Sequence, residues 1–198
     1  MPATELLYRS KVRNDSTFGK GDLKIANDIE VVVLNGSPGS GKSTLANAIA
    51  EQLRQLSQAH AVIDVDELGR IFPELGSSFG WANLRAIWPN FAAVANLKVI
   101  LPVCIDSKRD LEALRTATPS KEFTICELVA SESTLKDRVT KREPNEYWQR
   151  KLRMLVDKHI RKDLSDKFAD FRVRTDDKSI DEAAREILKH LKWTAAKS

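Results

Sequence analysis

The chain has 198 residues, 42% of them hydrophobic and 30% charged, which suits one well-buried globular domain and excludes a disordered chain. Its apolar runs are far shorter than a membrane span, and residues 1–30 lack the apolar core of a secretory signal. We therefore expect no membrane partner and a cytoplasmic location. The net charge of +4 suits a site for polyanionic nucleotides. Nucleic acid remains the weaker alternative partner, because basic residues are not interleaved with aromatic ones.

Apolar strand-like segments alternate with amphipathic helical segments along most of the chain. Residues 1–30 are predicted to be a polar extension, and residues 31–198 one domain. Because strands alternate with helices, we predict an α/β fold with a mostly parallel sheet covered on both faces. The segment 66–97, which contains several glycines and prolines, is predicted to form short helices and loops. Strands are predicted at 31–35, 60–65, 98–105, 123–129 and 171–175, and helices at 42–57, 107–117, 131–142, 146–163 and 179–192.

A glycine-rich segment follows the first predicted strand and leads directly into a helix. The pattern G-x-x-x-x-G-K-[ST] in this setting predicts a phosphate-binding loop. Glycines let successive backbone N–H groups turn toward phosphate oxygens, and the start of the helix adds a partial positive charge. Lys42 can reach the terminal phosphates, and the Ser43 hydroxyl can bind Mg²⁺. The predicted ATP-binding residues are Gly36, Ser37, Pro38, Gly39, Ser40, Gly41, Lys42, Ser43 and Thr44.

Aspartates follow the second and third predicted strands, where the carboxyl ends of a parallel sheet form a crevice. Asp64 and Asp66 are two residues apart, so on a strand they would point the same way. We interpret Asp64 as a Mg²⁺ ligand and Asp66 as the carboxylate that activates the acceptor hydroxyl. The reverse assignment, with Asp64 as the base, stays open, and so does the alternative that Asp66 only caps a short helix. Asp106 is either a further Mg²⁺ ligand or part of the turn before the next helix.

Two arginines are four residues apart on the helix predicted at 131–142. Arg138 and Arg142 therefore share a face and could spread the negative charge of a transferring phosphoryl group. The alternative is a solvated basic surface. Pro144 ends this helix, so residues 131–163 are predicted to be a lid over the phosphates.

The segment 66–97 also combines basic, amide and aromatic side chains. Such a set could stack on and hydrogen-bond an organic acceptor, although tryptophans at these positions could equally belong to the core. The predicted acceptor-binding residues are Asp66, Arg70, Trp81, Asn83 and Arg85. Cys104 and Cys126 lie in strand-like runs and are expected to be reduced. The three histidines are assigned no role.

The segments GSPGSGKST, DVD and LKDRVTKR together resemble the small P-loop kinases related to nucleoside monophosphate kinases. Within that group, DVDELGRIFP resembles zeta-toxin and chloramphenicol phosphotransferase-like kinases, although Phe72 stands where zeta toxins have histidine. Residues 83–90 are also similar to a segment of bacterial AAA-type ATP-binding proteins. The resemblance implies a three-layer sandwich, a sheet of order 2-3-1-4-5, a mobile lid carrying Arg142 and an acceptor region between strands two and three.

These observations together predict a Mg²⁺–ATP-dependent phosphotransferase that acts on a hydroxyl or phosphate of a small molecule. One alternative is a polynucleotide 5′-hydroxyl kinase, which would use the basic surface. Another is a nucleotide-dependent regulator that hydrolyses ATP slowly. A guanine nucleotide is not expected, because the N/T-K-x-D signature is missing from the sequence.

Overall fold

A computed structural model describes residues 29–162 and 168–194 of the chain. The predicted extension at 1–30 thus lies almost wholly outside the described residues. Five strands form one parallel sheet: β1 (Glu30–Asn35), β2 (His60–Val62), β3 (Lys98–Pro102), β4 (Glu122–Val129) and β5 (Phe171–Arg174). Seven helices have described bounds: α1 (Lys42–Gln55), α2 (Val65–Leu68), α3 (Ser77–Ala92), α4 (Lys108–Ala117), α5 (Glu132–Arg142), α6 (Glu146–Lys162) and α7 (Ile180–His190).

The strand order is β2-β3-β1-β4-β5, as predicted. β1 lies in the centre, paired in parallel with β3 on one side and β4 on the other. Because all strands run in the same direction, their carboxyl ends meet at one edge of the sheet. The loops after β1, β2 and β3 open along that edge, and these loops carry the polar residues singled out above.

Alternate residues of the central strands pack into two cores, one on each face of the sheet. Val31 and Val33 of β1 contribute to one cluster, which also holds Leu84 and Trp88 of α3. Val32 and Leu34 contribute to the other, with helices α1 and α7. Since both faces of the strands are buried, the sheet is the middle layer of a three-layer α/β/α sandwich.

Helices α5 and α6 share a small core of their own. Leu135 and Val139 of α5 pack against Val156 of α6, apart from the two larger clusters. Lys136 of α5 also forms an ion pair with Asp157 of α6, 2.6 Å apart. The two helices therefore pack against one another as a pair.

The segment 66–97 is more helical than predicted. It contains α3, a helix of 16 residues that includes Gly80 and continues past Pro89. Gly80 is not a turn residue: a Cβ there would lie 3.1 Å from the Val65 carbonyl oxygen, so glycine allows α3 to approach α2 closely. β2 and β3 are shorter than predicted and end at Val62 and Pro102. Within the described part of the chain, no helix has the length and apolarity needed to cross a membrane.

Candidate active site

The loop between β1 and α1 has the backbone geometry of a phosphate-binding loop. Gly39 and Gly41 have φ angles of 84° and 96°, in the region that favours glycine. A Cβ on Gly39 would lie 2.6 Å from the Leu135 carbonyl oxygen, so a larger residue does not fit there. The first turn of α1 has neither a side-chain cap nor an acidic residue. Its backbone N–H groups and partial positive charge therefore remain available to an anion.

The Lys42 ammonium lies within this loop. Its Nζ donates to the backbone carbonyl oxygens of Gly36, at 2.8 Å, and Ser37, at 3.2 Å. Burial lowers the pKa of Lys42, while the neighbouring carboxylates of Asp66 and Glu127 partly oppose that shift. A phosphate group would replace these carbonyl contacts with charge-assisted hydrogen bonds.

Ser43 and Asp64 lie together beside the loop. The Ser43 hydroxyl donates to Asp64 Oδ2 at 3.3 Å, and hydroxyl and carboxylate oxygens are ligands that suit Mg²⁺. The expectation that Asp64 and Asp66 leave a strand on the same side is wrong, because β2 ends at Val62. Asp64 instead caps α2 by accepting from the Asp66 N–H at 3.1 Å, and Asp66 lies in the first helical turn. The capping residue is thus Asp64 and not Asp66.

Asp66 contributes to a cavity of about 340 Å³ over the phosphate loop. This phosphate-loop cavity is also lined by Lys42, Ser43, Asp106 and Arg142. Loss of solvation and the negative charge of Asp64 raise the pKa of the Asp66 carboxyl, although Asp66 is an exposed residue, and Lys42 opposes the shift. Asp66 is therefore a more basic carboxylate than an ordinary aspartate.

A larger cavity of about 780 Å³ adjoins the first, between α2, α3 and α6. We call it the acceptor cavity. Of the residues predicted to bind the acceptor, Arg70 and Trp81 line this cavity, whereas Asn83 and Arg85 do not. Asn83 instead donates to the Leu68 carbonyl at 2.8 Å and ties α3 to α2, and Arg85 is exposed on α3. Both cavities are lined by Asp66, Cys104, Asp106, Leu152 and Leu155.

The two arginines of α5 have different surroundings. Arg142 lines the phosphate-loop cavity, and its charge contributes to lowering the pKa of Lys42. Arg138 instead donates to the Thr175 carbonyl at 2.6 Å and to the Thr175 hydroxyl at 3.0 Å. It lines a third cavity, of about 190 Å³, on the other side of the loop, together with Thr44. The structure thus does not bring Arg138 into the cavity that holds Arg142 and Asp66.

Asp106 lines the phosphate-loop cavity, as Ser43 does. Its described contacts are the Lys158 ammonium at 3.9 Å and the Cys104 thiol at 3.6 Å. Cys104, Asp106 and His159 each offer a possible metal-ligand atom, all within 4.8 Å of one another. Asp106 can therefore take part in binding a cation.

A buried polar network beneath the loop was missed by sequence reasoning. Glu127 of β4 is 1% exposed; it accepts from Asn35 Nδ2 at 2.5 Å, and its other oxygen contacts His159 Nε2 at 3.1 Å. Asn35 also accepts from the Ile105 N–H at 2.9 Å. In the sequence, Asn35 is the one polar residue of the apolar run VVVLN, and Glu127 is the one charged residue of the apolar run ICELV. The parallel pairing of β1 with β4 places these two residues side by side.

Solved structures with a similar fold include kinases and a resistance protein. Shikimate kinase from Acinetobacter baumannii, solved with shikimate, has a TM-score of 0.55 and 19% identity, covering 86% of this chain and 97% of its own. APS kinase CysC from Mycobacterium tuberculosis, solved with AMPPNP and APS, has a TM-score of 0.56 and 20% identity. The match covers 82% of this chain and 97% of the APS kinase chain. The tunicamycin resistance protein of Deinococcus radiodurans has a TM-score of 0.57 and 17% identity. The match covers 82% of this chain and 95% of the resistance protein.

The fold is therefore that of the small P-loop kinases. More narrowly, the zeta toxin family model matches residues 26–80, which span β1, the phosphate loop and α2. None of the curated protein sequences matches the chain significantly.

Proposed function

We propose that this protein is a Mg²⁺–ATP-dependent phosphotransferase acting on a small-molecule hydroxyl or phosphate. The observation that carries the proposal is the position of Asp66, which lines both the phosphate-loop cavity and the acceptor cavity. A carboxylate with a raised pKa lies at the boundary between them. A group that accepts a proton from an attacking hydroxyl must occupy such a boundary.

In this proposal the phosphates of ATP occupy the loop, and the nucleoside extends toward the third cavity beside Arg138. Lys42 and the backbone N–H groups hold the β- and γ-phosphates, while Ser43 and Asp64 hold Mg²⁺. The metal would supply positive charge that stabilises the phosphates in the transition state. The APS kinase neighbour was solved with AMPPNP, which supports nucleotide binding on this fold.

For a hydroxyl acceptor, Asp66 takes the proton as the oxygen forms a bond to the γ-phosphorus. The bond from that phosphorus to the bridging oxygen breaks, and ADP leaves with the electron pair. Arg142 lines the same cavity and would meet the negative charge on the transferring group. Closure of the α5–α6 unit would exclude water, so that transfer to the acceptor prevails over hydrolysis.

Incubation with γ-labelled ATP, Mg²⁺ and a panel of metabolites and oligonucleotides tests the proposal. We expect label in at least one small molecule. Label only in oligonucleotides would indicate a 5′-hydroxyl kinase, and label only in inorganic phosphate would indicate a regulatory ATPase; either result contradicts the proposal.

A further inference from the structure

Three side chains that commonly bind metals lie close together in the lining of the phosphate-loop cavity. Cys104 and Asp106 follow β3, and His159 belongs to α6. Each offers one possible ligand atom, and the three atoms all lie within 4.8 Å of one another. We call this group the Cys–Asp–His cluster. Asp64, which we propose as a Mg²⁺ ligand, does not belong to it.

The spacing of the cluster suits a tetrahedral metal ion. Zn²⁺ binds sulfur at about 2.3 Å and oxygen at about 2.1 Å, so two such ligands on a tetrahedral ion lie about 3.6 Å apart. The Cys104 sulfur and Asp106 Oδ1 are 3.6 Å apart. The His159 nitrogen lies no further than 4.8 Å from either atom. The imidazole therefore has to move by roughly 1.5 Å or less to reach its place on the same ion.

A buried carboxylate orients the imidazole of the cluster. Glu127 is 1% exposed, contacts His159 Nε2 at 3.1 Å, and is itself held by Asn35 Nδ2 at 2.5 Å. Among the described residues, none forms a hydrogen bond with Nδ1, so that nitrogen is available. Metal-binding histidines usually have a carboxylate or carbonyl on one ring nitrogen, which fixes the tautomer and makes the other nitrogen more basic. This contact supports a metal site independently of the spacing.

The charge balance of the cluster favours a divalent ion bound through sulfur. Burial raises the pKa of the Cys104 thiol to about 12, so the thiol stays protonated until a metal displaces its proton into solvent. The thiolate and the Asp106 carboxylate then neutralise both charges of the ion. The loaded site therefore adds no net charge beside the Lys42 ammonium, whose field reaches Cys104. Because thiolate is a soft ligand, it selects Zn²⁺ over Mg²⁺.

One cation already contacts the cluster. The Lys158 ammonium lies 3.9 Å from Asp106 Oδ2, and the two side chains are 54% and 46% exposed. An ion pair this exposed is weak, because water screens it and both side chains are free to move. Oδ1, the oxygen next to Cys104, is the one that would bind the metal. The lysine contact is therefore no obstacle to metal binding.

We propose that Cys104, Asp106 and His159 form a binding site for a thiophilic divalent metal ion of the zinc class. Three protein ligands leave a fourth position of the ion for water or another ligand. Because two of the ligands follow β3 and the third belongs to α6, the bound ion fastens α6 to the carboxyl edge of the sheet. This inference goes beyond the proposed function and does not depend on phosphoryl transfer.

Titration of the full-length, tag-free, reduced protein with Co²⁺ tests the site without ATP. Co²⁺ takes the place of Zn²⁺ and reports its ligands, since a thiolate ligand gives a charge-transfer band in the near ultraviolet and tetrahedral Co²⁺ absorbs strongly in the visible. We expect both features, saturating at one ion per chain. Zn²⁺ should abolish them, because N/O/S sites bind it more tightly than Co²⁺, whereas excess Mg²⁺ should not. A spectrum of octahedral Co²⁺ without a thiolate band would overturn the inference.

Variants then assign the spectrum to its residues. Cys104→Ser should lose the charge-transfer band, and His159→Gln should weaken Co²⁺ binding by at least about tenfold. Cys126→Ala, the other cysteine, and His190→Gln, an exposed histidine on α7, are the matched controls and should keep the parent spectrum and affinity. An unchanged spectrum in Cys104→Ser, or parent affinity in His159→Gln, would overturn the site as drawn.

Thermal unfolding tests the link between α6 and the sheet. Zn²⁺ should raise the Tm of the parent and of both control variants, because an ion that binds only the folded chain stabilises it. It should raise the Tm of Cys104→Ser and His159→Gln much less. An equal rise in all five proteins would place the ion elsewhere and contradict the proposal. Since none of these measurements uses ATP or an acceptor, their failure leaves the proposed phosphotransferase standing.

Discussion

The Asp66 carboxyl is held in a setting that makes its ionised form unfavourable. Loss of solvation and the Asp64 charge raise its pKa, and Lys42 only partly offsets them. A base with a raised pKa accepts a proton more readily at neutral pH, which suits the proposed role. The same setting has a consequence for folding, since an ionised group that the native state disfavours lowers the stability of that state.

The first prediction concerns the stability of Asp66→Asn. The folded pKa is above the ordinary value of 3.8, so ionisation of Asp66 destabilises the native state at pH values above the folded pKa. We therefore expect the variant to have a higher Tm than the parent at pH 7. The difference should shrink as the pH falls through the folded pKa and vanish below 3.8, where Asp66 is protonated in both states. Thermal unfolding across this pH range measures it; a variant less stable than the parent at pH 7 would contradict this account of Asp66.

The second prediction concerns Lys42→Ala. Lys42 is the cation inside the loop, so its removal should weaken ATP binding by at least about tenfold, the effect of losing a charge-assisted hydrogen bond. Calorimetry with ATP measures the affinity. Lys189→Ala, an exposed position on α7, controls for the change in net charge and should bind ATP like the parent. Unchanged ATP affinity in a folded Lys42→Ala protein would refute the phosphate-loop assignment.

At the scale of elements, α5 places its two arginines in different cavities, although the sequence puts them on one face. Arg138 is held by Thr175 at the end of β5, whereas Arg142 lies at the last turn of α5. Helical periodicity predicted their shared face but not the neighbouring strand end that contacts Arg138. We therefore propose the transition-state role for Arg142 alone.

The third prediction follows from that assignment. Arg142→Ala should fold normally, bind ATP nearly as well as the parent, and lose turnover by at least about 10²-fold, because its charge is needed when negative charge develops. Arg142→Lys should restore part of the rate, since a lysine cannot contact two oxygens at once. Steady-state kinetics measure the turnover of each variant. Lys141→Ala, 75% exposed and paired with Asp137, is the control and should remain active. Full turnover in Arg142→Ala would contradict the proposed role and indicate that this end of α5 is only a solvated basic surface.

The fourth prediction concerns the cysteines at the carboxyl half of the sheet. Cys104 and Cys126 are free, and β1 lies between β3, which Cys104 follows, and β4, which contains Cys126. Burial raises the pKa of Cys104 to about 12 and also raises that of Cys126. Both thiols should thus react slowly with iodoacetamide at pH 8 in the native protein and readily after denaturation. A disulfide, or rapid labelling of the native protein, would contradict the strand arrangement or the burial.

The overall architecture could be predicted from the sequence more completely than the site could. Alternating strands and helices predicted the three layers, and a resemblance supplied the strand order. The helix α3 was missed because Gly80 and Pro89 indicate turns, whereas the structure uses Gly80 for the close approach of α2 and α3. Glu127 was missed because a buried glutamate is recognised only through partners, here Asn35 and His159, that are distant in sequence.

The molecule as a whole brings three chain segments to one edge of the sheet. The phosphate loop follows β1, Asp66 follows β2, and α5 with α6 stands over both. Only this convergence makes the phosphate-loop cavity and the acceptor cavity neighbours. The central claim is therefore that Asp66, at their boundary, enables transfer between them.

Single-turnover transfer of label from γ-labelled ATP to an acceptor, compared between the parent and Asp66→Asn, tests that claim most directly. We predict that the variant binds ATP like the parent and transfers label about 10²- to 10⁴-fold more slowly, the usual effect of removing a general base. Asp64→Asn, the matched change two residues away, should instead raise the Mg²⁺ concentration needed for transfer. Transfer by Asp66→Asn at the parent rate would contradict the account.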